Sequence, residues 1–480
     1  MTARVFDRLF SGGGAATLPT TFRALADASD APSWDELKAR LLKTPTGARL
    51  AVEDEARMRG GGPPHRASKL RLFGKQESDV RITFYRDSAA WCPYCQKVWL
   101  QLEEKQIPYA VELINMRSYG DKPAEFLRRV PSGLLPAIEL DGKLMTDSMA
   151  IMQTIENAFP EAPPMLPTDE VGFSKANALL RLERVLFSDW CSLTFRSGLS
   201  AQPGFETTLD RVNEALGEAE GPWFLGGKMP SLVDLQYVSH IERMCASVPY
   251  WKGLPLRVHS SAGEPVRWPN IEKWLAAFEA RPCYVASKSD WYTHIKDIPP
   301  QYGPGQRAGS YTKYEASIDG RDGSWTLPLP PLSVSPYPAD QLQPGWEPLE
   351  AGATHEAAWR LLSNHGAIGK FMLRGAGTPG QKQFGAELAD PYATPATGAV
   401  EADVDLLLRH VVGWLIDALP TPKDAPFAQA LAAGQSQGRA ALGVCAAYLR
   451  DRVGVPRDMT YPAARQVRAH LNWAIAKLEA

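Results

Sequence analysis

The sequence predicts an α/β domain that is followed by two regions made of helices. Between residues 79 and 160, short strand-like and helix-like patterns alternate, as they do in mixed α/β domains. From about residue 174 to 295, and again after residue 354, apolar residues recur at helical spacing. A chain of 480 residues is also too long for one compact domain.

The composition is that of an ordinary globular chain, with 44% hydrophobic and 22% charged residues. A formal net charge of -2 gives no electrostatic reason for binding nucleic acid. No apolar run is long enough to cross a bilayer. We therefore expect neither a nucleic-acid partner nor a membrane-spanning segment.

Residues 1–78 are predicted to form a leader or N-terminal extension. The first two dozen residues are rich in Ala, Arg, Thr and Gly, and Asp7 is their only acid. This composition fits a plastid or mitochondrial transit peptide about as well as a disordered tail. Further on, SWDELKARLL predicts a helix, because Ser33 and Glu36 have the spacing of a capping box.

The α/β domain is predicted over residues 79–160. Its elements, in order, are the strand VRITFYR, the helix CQKVWLQLEEKQ, the strand YAVELINM, the helix KPAEFLRRV, the hairpin LPAIELDGKLMT and the helix SMAIMQTIENAF. The order β-α-β-α-β-β-α over about eighty residues indicates a thioredoxin-like domain.

The rest of the chain divides into three parts. Residues 170–296 predict an all-helical domain, in which Ser231 and Asp234 are placed for mutual capping. Residues 297–350 predict a proline-rich linker that is extended or loop-like and has no core of its own, although it could still pack along the other domains. Residues 351–480 predict a C-terminal helical extension.

The six cysteines are few for a chain of this length, so no disulfide framework is expected. A reducing compartment, either a plastid or the cytoplasm, fits this usage. Four of the cysteines lie in apolar or helical surroundings and are expected to be small buried hydrophobes; they are Cys191, Cys245, Cys283 and Cys445.

The remaining pair, Cys92 and Cys95 in WCPYC, lies at the start of a predicted helix. There the Cys92 sulfur meets unpaired backbone N–H groups and the positive end of the helix dipole, which both favour the thiolate. Cys95 lies one turn further in, close enough to attack a mixed disulfide on Cys92. The context favours redox chemistry over a structural disulfide, because such a short ring is easily reduced.

Metal binding by the same pair is a weaker alternative. A structural zinc site needs four ligands, and the domain has no second Cys-x-x-Cys and no histidine. An iron–sulfur cluster bridged between subunits is an equally weak alternative. We therefore expect no metal.

Two features downstream fit this interpretation. Pro136 begins a strand, where it is either a cis-proline beside the active-site cysteine or an ordinary strand-initiating proline. Asp147 and Ser148 precede a helix and are predicted to cap it. The same hydroxyl and backbone N–H groups are also suited to holding a ligand carboxylate.

The motifs CPYC, GLLPAIEL, TDSMAI and WPNIEKWLAAFEARP, in this order, resemble the glutathione transferase superfamily over residues 80–295. The run YRDSAAWCPYCQKVWLQLEEKQIPY most resembles the iota class, which comprises long transferases of cyanobacteria and algae with extra segments on both sides of the core. The predicted fold is therefore a thioredoxin-like α/β domain plus the all-α transferase domain, with an additional helical C-terminal domain.

The resemblance implies glutathione as cosubstrate and Cys92 as the nucleophile, with Cys95 able to resolve the mixed disulfide. The residues that it implies for glutathione binding are Tyr94 in the site wall, Lys122 at the glycine carboxylate, Leu135 and Pro136 at the cysteinyl backbone, and Asp147 and Ser148 at the γ-glutamyl end. A cysteine in place of the Tyr or Ser of other transferases favours thiol–disulfide exchange over conjugation.

Three functions follow from this resemblance. The favoured one is a glutathione-dependent thiol oxidoreductase that acts on a small-molecule or glutathionylated substrate. The alternatives are a transferase that conjugates an apolar electrophile and a non-catalytic binding protein built on the transferase scaffold. The family suggests a homodimer, and the extensions suggest a partner protein.

A basic cluster near the C-terminus has two interpretations. The sequence favours a solvated helix face paired with acids, and the alternative is an anion site near Pro456. The cluster consists of Arg450, Arg452, Arg457, Arg465 and Arg468.

Overall fold

The computed structural model describes residues 31–257, 266–309, 312–381, 386–423, 425–433 and 436–480. The stretch that resembles a transit peptide lies outside the described residues. Within the described ranges, no helix combines the length and the apolar character needed to cross a membrane.

A five-stranded mixed sheet forms the centre of the α/β domain. Its strands are β1 (Leu70–Arg71), β2 (Ile82–Asp87), β3 (Tyr109–Ile114), β4 (Ala137–Leu140) and β5 (Lys143–Thr146), in the spatial order β1-β3-β2-β4-β5. Strands β2 and β3 are parallel, and the other neighbours are antiparallel. Strand β1 was not predicted; it comes from the segment that the sequence assigns to the leader.

Three helices pack on this sheet: α3 (Pro93–Glu104), α4 (Ala124–Arg129) and α5 (Ser148–Ala158). Helix α3 begins with Pro93 in its first turn, where a missing backbone N–H costs nothing. Its Val98, Trp99 and Leu102 are buried, as the helical spacing predicts. The thioredoxin-like prediction for this part of the fold is confirmed.

The next part of the chain is helical, as predicted. Its helices are α6 (Glu170–Thr194), α7 (Gln202–Gly217), α8 (Leu232–Lys252), α9 (Pro269–Glu279), α10 (Pro282–Ser287) and α11 (Trp291–Asp297). Helix α8 is buried along its whole length and packs against α3, α6 and α11. The predicted capping box is present, because Ser231 Oγ accepts from Asp234 N and Asp234 Oδ2 accepts from Ser231 N.

The segment 297–350 packs along the other domains, which the sequence analysis allowed, but parts of it are helical instead of extended or loop-like. It contains the short helices α12 (Pro299–Tyr302), α13 (Lys313–Ile318) and α14 (Pro338–Gln341). Its apolar side chains join the core of the first two domains, which removes them from water. These side chains are Tyr314, Ile318, Trp325, Ala339 and Leu342.

The C-terminal part is helical, as predicted. Its helices are α15 (Ala353–Ser363), α16 (His365–Met372), α17 (Ala399–Asp417), α18 (Ala425–Ala433), α19 (Ser436–Arg450) and α20 (Tyr461–Glu479). They share a second apolar core with Leu37, Leu41 and Leu50, which come from the N-terminal helices α1 (Trp34–Leu42) and α2 (Pro45–Met58). The described part of the N-terminal extension is therefore built into the C-terminal core.

The C-terminal arginines are paired with acids, as predicted. The prediction that they lie on a solvated helix face is wrong for Arg465 and Arg468, which are buried. Arg465 and Arg468 are only 3% and 1% exposed. Arg468 reaches Asp290 at 2.7 Å and Arg465 reaches Asp340 at 3.2 Å, so each cation is neutralised inside the protein. The division of the chain at residues 78, 160, 170, 296 and 350 stays a prediction.

Candidate active site

Cys92 lies at the N-terminus of α3, where strand β2 ends and the chain turns. Its side chain is partly exposed. At the end of β2, Asp87 Oδ2 accepts hydrogen bonds from the backbone N–H groups of Trp91 (2.6 Å) and Cys92 (3.1 Å). Asp87 therefore fixes the turn that presents Cys92. The sequence analysis did not identify Asp87 as a site residue. Its position directly after the predicted strand VRITFYR could have indicated it.

The chain that leads into β4 passes beside Cys92. The Cys92 Sγ atom lies 3.9 Å from the carbonyl oxygen of Leu135. The peptide bond between Leu135 and Pro136 is cis, as predicted. The structure thus brings Cys92, Leu135 and Pro136 together, and their predicted roles in binding glutathione stay predictions.

Cys95 differs from Cys92 in its surroundings. It is only 2% exposed, and burial together with the hydrogen bond and charge of Cys92 raises the pKa of its thiol well above the usual value. Cys95 is therefore held as a protonated thiol, which is a poor nucleophile.

Ligand atoms of Asp87, Cys92 and Cys95 all lie within 4.8 Å of one another. Among the described residues, these three could hold a metal ion, with a mixed sulfur and oxygen donor set. One oxygen of Asp87 is already engaged by two backbone N–H groups, and a structural zinc site requires a fourth ligand.

Asp147 caps α5, as predicted. Its Oδ1 accepts from the backbone N–H groups of Met149 (3.0 Å) and Ala150 (2.9 Å). The residue is exposed and has a φ of 72°, a backbone conformation that costs free energy for a residue with a side chain. Ser148 beside it is buried. The cap leaves Asp147 Oδ2 available to a ligand.

Lys122 has an acceptor within the protein. Its Nζ donates to the carbonyl oxygen of Gly133 at 2.5 Å. Burial and the nearby Arg117 lower the pKa of the Lys122 ammonium. Its predicted contact with a glycine carboxylate is untested and stays a prediction.

Tyr94 belongs to an aromatic wall next to Cys92. Burial raises the pKa of its hydroxyl, and the hydroxyl of Tyr302 lies beside it. The Tyr302 ring in turn packs against Trp190 at 5.6 Å and Phe187 at 6.1 Å between ring centroids. Tyr302 was missed by the sequence analysis because it follows two prolines in the segment predicted to be a linker. The feature that could have indicated Tyr302 as a site residue is its large aromatic side chain in a polar, proline-rich stretch.

A buried set of polar side chains lies behind the start of α3. We name it the rear network, and it consists of Trp91, Gln96, Glu242, Arg243 and His294.

One chain of hydrogen bonds in the rear network fixes the state of His294. Trp91 Nε1 donates to His294 Nδ1 at 3.0 Å, and His294 Nε2 lies 2.9 Å from Glu242 Oε1. Because an indole only donates, Nδ1 is the acceptor, and Nε2 carries the proton that points to Glu242. Burial also lowers the pKa of His294, which keeps the ring neutral.

Glu242 is the charged centre of the rear network. Burial alone would raise its pKa, but the hydrogen bond from His294 and the charge of Arg243 outweigh burial and hold the pKa of Glu242 below its usual value. Gln96 links the two charged residues, since its Nε2 donates to Glu242 at 3.1 Å and its Oε1 accepts from Arg243 at 3.1 Å. Arg243 also donates to the carbonyl oxygen of Trp91.

Comparison with known proteins identifies the family. The family model "Glutathione S-transferase, N-terminal domain" matches residues 91–158. Glutathione S-transferase DHAR2 of Arabidopsis thaliana is 32% identical over 165 residues, which are 34% of this chain and 70% of that protein. The chain belongs to the glutathione S-transferase family. Its members use glutathione, so the predicted cosubstrate is confirmed.

Further relatives of this transferase match the same central part. Protein IN2-1 homolog A of Oryza sativa subsp. japonica is 30% identical over 206 residues, which are 42% of this chain and 78% of that protein. The crystal structure of glutathione transferase Omega 3C from Trametes versicolor covers 50% of this chain and 96% of its own, at 24% identity and a TM-score of 0.38. For both Protein IN2-1 homolog A and DHAR2, more than half of this transferase lies outside the part that matches.

Proposed function

We propose that this transferase is a glutathione-dependent thiol–disulfide oxidoreductase and that Cys92 carries its mixed disulfide. The observation that supports this is the contrast between the two thiols. Cys92 is partly exposed at a helix N-terminus, whereas Cys95 is buried and protonated. A cysteine at this position attacks disulfide bonds, which a tyrosine or serine hydroxyl does not do.

The reaction proceeds in two exchanges. The Cys92 thiolate attacks the glutathione sulfur of a glutathionylated substrate, the substrate S–S bond breaks, and the substrate thiolate leaves and takes up a proton. A second glutathione, as thiolate, then attacks the mixed disulfide on Cys92 and leaves as oxidised glutathione. The net change is one glutathionylated substrate and one glutathione converted to one free thiol and one glutathione disulfide.

Dehydroascorbate is the small-molecule substrate that we propose for the same site. Its reduction to ascorbate consumes two electrons and two protons, which two molecules of glutathione supply when they form one disulfide. The Cys92 thiolate adds to a carbonyl carbon of dehydroascorbate, and the thiolate of the first glutathione then attacks the Cys92 sulfur. The C–S bond breaks, its electron pair leaves with the reduced product, which takes up protons as ascorbate, and Cys92 is left in the mixed disulfide. The second glutathione releases Cys92 as before, so the same thiol serves both substrates.

Glutathione rather than Cys95 resolves the mixed disulfide in this scheme. A thiol attacks as its thiolate, and the raised pKa of Cys95 leaves that form scarce near neutral pH. Leu135 and Pro136 would lie along the cysteinyl part of glutathione, because Leu135 O lies 3.9 Å from Cys92 Sγ. Asp147 and Ser148 would hold the γ-glutamyl end and Lys122 the glycine carboxylate.

We also propose the iota class for this chain. The proposal is supported by the transferase core lying between an N-terminal extension and a C-terminal helical part that share one apolar core. A plastid or the cytoplasm remains our proposal for its location, since all six cysteines are free. A homodimer or a partner protein bound through the extensions is proposed on the same family resemblance.

One set of assays tests the function. Wild type, Cys92→Ser and Cys95→Ser are compared in the glutathione-dependent reduction of a glutathionylated peptide and of dehydroascorbate. We expect Cys92→Ser to lose at least about 10³-fold in turnover, as enzymes do when the nucleophile is removed. Cys95→Ser should stay within about threefold of wild type, because glutathione resolves the intermediate. Unchanged turnover in Cys92→Ser would contradict the proposal.

Conjugation is the second candidate, because the aromatic wall of Tyr94, Tyr302 and Phe187 suits an apolar electrophile. The same proteins are therefore assayed with 1-chloro-2,4-dinitrobenzene and glutathione. Conjugation that survives in Cys92→Ser, together with negligible disulfide reduction in wild type, would favour a conjugating transferase.

A further inference from the structure

A cavity of about 580 Å³ lies where the extensions meet the transferase core. Its walls come from residues 54–67 of the N-terminal extension, the loops at 88–89 and 118–119, helix α11, and the C-terminal helical part. None of the eight residues predicted for catalysis or glutathione binding lines it. The cavity is therefore separate from the glutathione site, and its volume is that of pockets for small organic ligands.

Several basic side chains line the cavity, and most of them are neutralised. Arg57 pairs with Asp54 at 2.5 Å, and Arg457 pairs with Asp458 at 2.8 Å. Arg452 reaches a carboxylate oxygen at 3.3 Å. The charges of these three arginines are therefore compensated by carboxylates of the protein.

Arg66 and Arg374 line the same cavity without any carboxylate among the described residues within ion-pair distance. Arg66 donates to the backbone carbonyl oxygens of Arg457 and Asp458 and lies 3.1 Å from His65 Nε2. Burial and the charge of Arg360 lower the pKa of Arg66 to about 9. The charges of Asp458 and Glu356 offset this effect only in part, because the pKa of Arg66 stays lowered. The incompletely compensated buried cation favours an anion at this wall.

Arg360 adds a second positive charge beside the first. Its Nη2 lies 2.9 Å from His65 Nε2, and its Nε is buried with no hydrogen-bond partner. Its ion-pair partner among the described residues, Asp54, is 3.8 Å away and is shared with Arg57 at 2.5 Å. Glu356 supplies a further negative charge, but burial still lowers the pKa of Arg360. Burial and the surrounding arginines hold the pKa of His65 far below its usual value, so the ring stays neutral and supplies no opposing charge.

The lining also has apolar side chains. They include Ile368 and Phe371 of α16, and Leu388 and Met459 from neighbouring segments. The half-buried Arg374 lies 5.4 Å from the centre of the Phe371 ring. A ligand that fits this lining has both an anionic group and an apolar body.

We propose that this cavity binds an organic anion whose phosphate or carboxylate group contacts Arg66 and Arg360 and whose body packs on Phe371 and Ile368, beside the cation of Arg374. The planar guanidinium group recognises both anionic groups through paired hydrogen bonds. The site is independent of the Cys92 chemistry and draws its walls from both extensions.

The test uses three probes with one aromatic body: 1-naphthyl phosphate, 1-naphthoate and the neutral 1-naphthol. Binding to the full-length protein is measured by calorimetry, with and without saturating glutathione. We expect the better anionic probe to bind at least about tenfold more tightly than 1-naphthol, as one charge-assisted hydrogen bond allows. Comparison of phosphate with carboxylate then identifies the preferred group.

Three variants locate the binding. Arg374→Gln removes a charge that makes no hydrogen bond among the described residues, and Ala367→Trp narrows the cavity from an exposed position. Each should weaken the anionic probe about tenfold or more while disulfide reduction by Cys92 stays at the wild-type rate. Arg49→Gln, an exposed arginine on α2 outside the cavity, is the matched control and should change nothing. Equal binding of 1-naphthol, displacement of the probe by glutathione, or wild-type affinity in both cavity variants would overturn the proposal.

Discussion

Two polar regions flank the start of α3, and they are built in opposite ways. The rear network is buried, and its members bond mainly to one another. The front side, which carries Cys92 and Asp147, is more exposed, and its helix cap uses only the Oδ1 atom of Asp147. Changes behind the helix should therefore cost folding stability, whereas changes in front of it should cost affinity and turnover.

Arg243→Met should have the largest effect on stability. The side chain is 1% exposed and donates to the carbonyl oxygens of Trp91 and Ser239, so its loss leaves buried acceptors unpaired and Glu242 without a nearby cation. We expect a loss of about 3–5 kcal/mol in the free energy of unfolding, measured by urea denaturation.

Arg243→Lys provides the matched comparison for this prediction. A lysine keeps the charge but cannot reach all the acceptors of the planar guanidinium, so its unfolding midpoint should fall between those of Arg243→Met and wild type. A wild-type midpoint for Arg243→Met would show that the rear network does not support the site.

The pH dependence of stability should identify Glu242 as the charged centre of the rear network. Its folded pKa lies below the usual 4.5, so its stabilisation is present above pH 4.5 and is lost as the pH falls through the folded pKa. Glu242→Gln should be less stable than wild type at pH 7 and should lose less on acidification. Parallel pH profiles for the two proteins, or a changed profile for the exposed control Glu55→Gln, would contradict this assignment.

The part of the site around Cys92 and Asp147 could be predicted from the sequence, because its features depend on residues that lie close together in the chain. A helix start after Cys92 and a cap at Asp147 each depend on residues that are neighbours in the chain. The strand and helix order followed from periodicity in the same way. These features need no knowledge of how distant segments meet.

The rear network could not be predicted, since its bonds join distant segments. Trp91 and His294 are 203 positions apart, and nothing in the periodicity of either helix marks the pair. The same holds for the N-terminal extension, whose Trp34 donates to Asp405 across 371 positions. Only the packing of α8 and α11 behind α3 brings the network together.

Substitutions of Asp147 distinguish its structural role as a helix cap from its proposed role in binding glutathione. Asp147→Ala should cost about 1 kcal/mol through the lost helix cap and should raise the KM for glutathione about tenfold. Asp147→Asn keeps the cap and tolerates the positive φ, so it should raise the KM without lowering the unfolding midpoint. If neither variant changed the KM for glutathione, Asp147 would act only as a helix cap and would not bind glutathione.

Tyr302→Phe should have the smallest effect, and it tests whether the segment 297–350 takes part in the site. The variant keeps the ring that packs on Trp190 and Phe187 but removes the hydroxyl beside Tyr94. We expect a two- to threefold change in kcat/KM for the oxidised substrate, about 0.5 kcal/mol, with the KM for glutathione unchanged. Tyr314→Phe, in the same segment but on α13, is the control and should match wild type. If Tyr302→Phe instead raised the KM for glutathione as much as Asp147→Asn does, the aromatic wall would belong to the glutathione site, and the substrate would have to approach Cys92 from another direction.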